Sequence, residues 1–102
     1  MKVEKEINNK ELIVKVSGQI NTLTSIDLEK EICNDLTGIE SVTIDLMHVD
    51  YISSAGIRVF MYINKQLGYN DALKIINVDH DLYQVLYDVG VTDIINIERY
   101  EQ

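Results

Sequence analysis

The chain has no proline, no tryptophan, a single cysteine and a single phenylalanine, and its 9 basic residues face 17 acidic ones. Each shortage excludes something. One cysteine makes no internal disulfide, and Cys33 has no CxxC partner to bind a metal or run redox chemistry. Its neighbours Ile32 and Leu36 place it at the border of a helix's apolar face, an inert setting. The net charge of -8 argues against a nucleic-acid surface, which needs a basic patch to neutralise phosphates, and against an anionic membrane. No apolar run approaches the roughly 18 residues of a membrane helix, so direct membrane insertion is not expected. The start, MKVEKEINNKE, lacks the apolar core of a signal peptide, and a cytoplasmic location is the expectation. With no proline, no low-complexity stretch and no repeat, nothing marks a boundary, and residues 1–102 are expected to form one domain. His48 and His80 are too few and too isolated for a metal site, and no phosphate loop or cofactor motif is present.

What is present is strong hydrophobic patterning, with 46% hydrophobic and 25% charged residues. Residues 3–7 and 12–16 alternate like short strands, with Asn8-Asn9 suited to a hairpin turn. After Gly18, Thr24 is the expected N-cap of a helix, with Asp27 reaching back to it. Leu28, Ile32 and Leu36 would form its buried face, and Thr37-Gly38 its end. SVTIDL, residues 41–46, reads as a strand. Ile57, Phe60, Met61 and Leu67 then mark a helix's buried side, with Gly68 just beyond it. LKIIN, residues 73–77, is another strand. Asp79 caps a third helix patterned on Leu82, Val85, Leu86 and Val89, stopped by Gly90, and a last strand covers 94–97. Strands alternating with helices predict an α/β fold: a small sandwich whose mostly parallel four- to five-stranded sheet is covered by three to four helices, with the N-terminal strand on one edge.

The segment HVDYISSAGIRVF, residues 48–60, joins the third strand to the second helix. In open α/β sheets, function gathers at the carboxyl ends of strands beside helix N-termini. A helix starting at Ser54 directs unpaired N–H groups and a positive dipole end outward, so a phosphate on Ser54 would be favourably placed. Taken alone, Ser53 or Ser54 reads first as a plain helix cap, since serine is among the preferred caps. A hydrolytic role is disfavoured, because Ile52 stands where the nucleophile elbow G-x-S-x-G needs its first glycine. Asp45, His48 and Asp50 lie near in sequence, but nothing fixes them as a triad. Ala55 and Gly56 read as clearance for an approaching partner. Arg58, Tyr62 and Lys65 are expected on one exposed stripe, and tyrosine and arginine commonly carry interface energy.

Three segments, VSGQINTLTS, VTIDLMHVDYISSAGIRV and NVDHDLYQVLYDVGVTDIINI, together resemble the STAS domain of bacterial anti-sigma factor antagonists. The resemblance runs through most of the chain, and the central segment is its most specific part. It implies a regulatory binding protein rather than an enzyme, with no cofactor. The implied partners are an anti-sigma factor that is also a GHKL-type serine kinase, and a PP2C-type phosphatase that reverses the modification. Ser54 matches the family's phosphoacceptor, with Ser53 as a less favoured acceptor. Asn21, Thr22, Ser53, Ser54, Arg58 and Tyr62 form the expected partner-binding surface. The unphosphorylated form would bind the anti-sigma factor and release a sigma factor. Three positions depart from the pattern: Ser53 stands where Asp is frequent, Ala55 where Ser or Thr is, and Asn21 where Asp follows the second strand. These departures keep open a permanent, unphosphorylated subunit of a lipid-transport ATPase complex.

Overall fold

The computed structural model describes residues 1–100. Five strands form one sheet in the sequential order β1-β2-β3-β4-β5, where β1 is Lys2–Asn8, β2 Glu11–Ser17, β3 Ser41–His48, β4 Leu73–Val78 and β5 Asn96–Arg99. The β1–β2 pair is an antiparallel hairpin and the remaining pairs are parallel. Asn9 makes the hairpin turn at φ 57°, a left-handed conformation that asparagine tolerates better than most residues. Helices α1 (Thr22–Cys33), α2 (Ser54–Gln66) and α3 (His80–Asp88) connect the parallel strands.

Alternation along the strands shows where the core lies. Leu12, Val14 and Val16 of β2, Val42, Ile44 and Leu46 of β3, and Leu73, Ile75 and Val78 of β4 are buried. The residues between them, such as Lys15, Thr43 and Lys74, remain accessible. The sheet is therefore covered on one face only, as expected when successive right-handed crossovers advance in one direction. On the open face, Thr43 donates to Glu11 at 3.1 Å and Lys74 pairs with Glu98 at 2.9 Å, each contact linking two neighbouring strands. Lys5, on the covered side of β1, ties that edge strand to α1 through Glu31 at 2.9 Å and to the turn after the helix through Asp35 at 2.7 Å.

Several expected details differ. The cap of α1 is Asn21, not Thr24: the Asn21 side chain accepts from the N–H groups of Leu23 and Thr24, and Thr24 Oγ1 accepts from the Asn21 N–H in return. The helix ends at Cys33, before Leu36 and Gly38, closing through tightened turns in which Asp35 and Leu36 donate to Ile32 and Cys33. On α2, Val59, Phe60 and Ile63 fill the core, while Ile57, Met61 and Leu67 lie at its margin. On α3, Leu82 and Leu86 are buried, but Val85 and Val89 face outward. The last strand begins at Asn96, because Gly90 at φ 84° leads into a short 3-10 turn over Val91–Asp93.

Candidate functional site

The site is built by a strip of backbone pairing beyond the ends of β2 and β3. Gly18 N–H donates to the His48 carbonyl at 3.0 Å, Ile20 N–H to Tyr51 at 3.0 Å, and Ser53 N–H to Ile20 at 2.7 Å. Ile20 and Ile52 thus form a parallel bridge just ahead of two helices. The bridge holds the N-termini of α1 and α2 side by side, and it brings Asn21 and Thr22 next to Ser53 and Ser54. Their sequence separation gave no hint of how this contact is made; the signal was the pair of apolar residues, Ile20 and Ile52, each immediately before a polar helix start.

The two serines have different roles in the fold. Ser53 is the N-cap of α2, with φ -84° and ψ 169°, and its Oγ accepts from the Gly56 N–H at 3.2 Å. Ser54 is the first helical residue and is exposed. A residue at this position still has a backbone N–H without an intrahelical partner, beside the positive end of the helix dipole. The reading of either serine as cap is resolved in favour of Ser53.

Gly56 corrects the clearance assigned to it. It is buried, and a Cβ built there would meet Ile20 Cγ2 at 2.6 Å and Ile52 Cγ1 at 2.7 Å. The small residue is required by this protein's own packing, since α2 rests directly on the Ile20–Ile52 bridge. Ala55, by contrast, is half-buried and borders a groove of about 470 Å³ between α1 and α2. Ile26 and Glu29 of α1 and Arg58 and Tyr62 of α2 line the same groove. Tyr62 is 44% exposed, and Leu23, on the first turn of α1, is 76% exposed. Leu23 was not among the residues expected at the surface; its lack of a place in the α1 apolar repeat is the signal that marks it.

Asp45 does not reach toward Ser54 as a catalytic partner. Its Oδ1 accepts from the Met47 N–H at 2.9 Å and from Asn77 Nδ2 at 3.1 Å. Arg58 is exposed and makes no ion pair among the described residues. Cys33 lies on α1, where burial and then the charge of Glu29 push its thiol above the ordinary value. No helix among the described residues is long and apolar enough to cross a membrane.

Comparison with known proteins agrees with this architecture. BtrV of Bordetella bronchiseptica, which bears the name of an anti-sigma factor antagonist, is 40% identical over 57 residues, a stretch covering 55% of this chain and 49% of that protein. The match thus spans about half of this curated relative. An anti-sigma factor antagonist from Mycobacterium paratuberculosis superposes with a TM-score of 0.85 at 19% identity, over 95% of this chain and 84% of that one. SpoIIAA in its unphosphorylated form superposes with a TM-score of 0.81 at 9% identity, over 94% and 87%. In its phosphorylated form the TM-score is 0.72, over 94% and 90%. At such identities these structures speak for the fold, which is that of the SpoIIAA-like proteins. The family model of the STAS domain matches residues 2–102, and the chain belongs to the STAS domain family.

Proposed function

We propose that this chain is an anti-sigma factor antagonist whose binding surface is centred on the paired N-termini of α1 and α2 and is switched off by phosphorylation of Ser54. The observation that carries this reading is the division of labour between the serines. With Ser53 Oγ accepting the Gly56 N–H, helix capping does not need the Ser54 hydroxyl, which stands exposed where an anion is favoured. The preceding loop, the first turn of α1 and the groove between α1 and α2 carry exposed apolar and aromatic side chains, Tyr51, Leu23, Ile26 and Tyr62. Together with Asn21, Thr22 and Arg58 they give the mixture of anchors and polar rim that protein interfaces use.

A phosphate adds about -1.5 to -2 charges at neutral pH. Buried against a partner without a matching cation, a charge of that size costs several kcal/mol, enough to weaken binding by two orders of magnitude or more. The partner on this reading is an anti-sigma factor acting as a GHKL-type serine kinase, with a PP2C-type phosphatase restoring the binding form.

Incubation with ATP and the anti-sigma factor, followed by mass spectrometry, tests the reading. Phosphate on Ser54, absent in Ser54→Ala, and a phosphorylated form that binds at least about tenfold more weakly are the expected results. A second reading, a permanent subunit of a lipid-transport ATPase complex, is favoured by the neutral residues at 21, 53 and 55, which remove acidic and hydroxyl groups usual around the phosphoacceptor. Stable co-purification with a transporter ATPase, together with unmodified Ser54 in the presence of kinase and ATP, would establish that reading in place of the first.

A further inference from the structure

Two strands of the sheet carry irregularities at the same height, next to the loop that leads to Ser54. Against β2, the register of β3 passes from Lys15↔Asp45 to Ser17↔His48, so three residues of β3 answer two of β2. Against β5, the register of β4 passes from Ile75↔Ile97 to Val78↔Arg99, again three against two. The extra residue in β4 lies at Asn77, whose φ of 58° is left-handed. That insertion is why Val78, rather than Asn77, continues the buried row of β4. Bulges of this kind bend a strand and redirect the chain beyond them.

Asp45 joins the two. Its Oδ1 accepts from the Met47 N–H inside the β3 bulge and from Asn77 Nδ2 inside the β4 bulge, at 2.9 and 3.1 Å. Its cross-strand neighbours are Lys15 on β2 and Ile76 on β4. Immediately downstream, the His48 and Tyr51 carbonyls and the Ser53 N–H make the bonds that hold the loop to Gly18 and Ile20. The course of β3 through its bulge therefore decides whether these three bonds form in register, and with them the juxtaposition of the two helix N-termini.

We propose that Asp45 is a positioning residue for Ser54: by locking the bulges of β3 and β4 together, it sets where the loop 48–53 leaves the sheet and so where α2 begins. The consequence for phosphorylation rests on the reading of Ser54 given above, and the experiment keeps the two apart. A carboxylate is suited to the place because one acceptor oxygen serves a backbone donor and a side-chain donor at once. An amide oxygen serves equally well, so acceptor geometry rather than charge is the requirement.

Native-state amide hydrogen exchange followed by NMR reads the position of the loop without any partner. In Asp45→Ala, two hydrogen bonds are lost, and the Gly18, Ile20 and Ser53 amides should exchange about tenfold faster relative to the Val42 and Ile44 amides of the core. Asn77→Gly, which keeps the left-handed backbone comfortable but removes the side-chain donor, should loosen the same three amides by a few-fold. Asp45→Asn keeps an acceptor oxygen for both donors and should stay near wild type, whereas Asn77→Asp, which sets an acceptor against that oxygen, should loosen the same three amides. If loop and core amides accelerate by the same factor in Asp45→Ala and Asn77→Gly, or if the loop amides do not respond, the proposal fails. The initial rate of Ser54 phosphorylation, compared at equal folded fraction, should fall in Asp45→Ala and recover in Asp45→Asn. If the wild-type chain takes no phosphate at all, the reading of Ser54 falls while the exchange data still decide the role of Asp45.

Discussion

Replacing Gly56 by alanine is the sharpest test of how the site is assembled. The added Cβ would lie 2.6 Å from Ile20 Cγ2, 2.7 Å from Ile52 Cγ1 and 3.2 Å from Ile52 Cδ1, whereas carbon atoms pack at about 3.5–4.0 Å. Neither neighbour yields easily. Both isoleucines are buried, both are β-branched and stiff at χ1, and the backbone of Ile20 is bonded on both its N–H and carbonyl to the segment 51–53. Relief therefore requires α2 to lift off the bridge. Overpacking of this kind costs about 1–3 kcal/mol, and the better helix propensity of alanine returns at most about 1 kcal/mol. With two contacts below 3.0 Å the overpacking cost belongs in the upper part of its range, about 2–3 kcal/mol. The expected net loss is therefore about 1–2 kcal/mol, and for a domain of this size each kcal/mol lowers Tm by roughly 4–8 °C. Urea unfolding should show a lower midpoint at unchanged slope. Combining the substitution with Ile20→Ala, which removes the closest atom, should give a double-mutant cost below the sum of the single ones. A Gly56→Ala protein as stable as wild type, or more stable, would refute the internal-packing account and return Gly56 to the role of clearance for a partner.

The caps give a paired prediction: Ser53→Ala should destabilise by about 1 kcal/mol through loss of the Gly56 N–H bond, while Ser54→Ala should stay within about 0.5 kcal/mol of wild type. The opposite order in thermal unfolding would mean that the serines have been assigned the wrong way round. At alkaline pH, hydrogen bonds to Asp35 and then Glu31 hold the Lys5 pKa above its ordinary 10.5. The protonated form is thus favoured in the folded state, so its contribution is complete below pH 10.5 and fades as pH rises through the folded value. Lys5→Met should remove this fall in stability, measured in a Cys33→Ser background because the thiol, raised above 9.0 by burial and then Glu29, adds a loss of the same sign. Cys33 itself should react with iodoacetamide more slowly than a free thiol at pH 8 in the native protein and at the ordinary rate in urea; equal rates would contradict its burial.

The legible parts of the fold were those with a local cause. The turn at Asn9, the alternation in β2 and β3, the Asp79 cap and the Gly90 stop all follow from residue type and spacing. The α1 start was not decided locally, because Asn21 and Thr24 are both good caps three residues apart. The choice falls to Asn21 because Ile20 is held extended by its bridge to Ile52, so the first helical turn can form at once and Thr24 becomes the reciprocal partner. The β4 bulge was hidden for a similar reason: LKIINV reads as an unbroken strand, and only the Asp45 side chain, 32 positions earlier, gives Asn77 a reason to leave it. Val85 and Val89 were misplaced because α3 is a short helix that presents a narrow stripe of Leu82 and Leu86 to the sheet edge, leaving the flanking positions in solvent.

Gly56 also links the packing of the serine segment to its exposure. The same small residue lets α2 sit on the Ile20–Ile52 bridge, and that seating puts Ser53 in cap geometry and turns Ser54 outward. A bulkier residue at 56 would lift the helix, and the start of α2 would no longer face the start of α1. Packing and exposure of the candidate phosphoacceptor are thus one constraint, not two. Changes outside the helix itself, at Ile20, Ile52, Asp45 or Asn77, should therefore be felt at the Ser54 hydroxyl, whereas changes at Glu11 or Thr43, on the open face but outside the bulges, should not. The path is short because it runs through the ends of two parallel strands, where backbone pairing has ceased to be continuous and single side chains decide the direction of the chain.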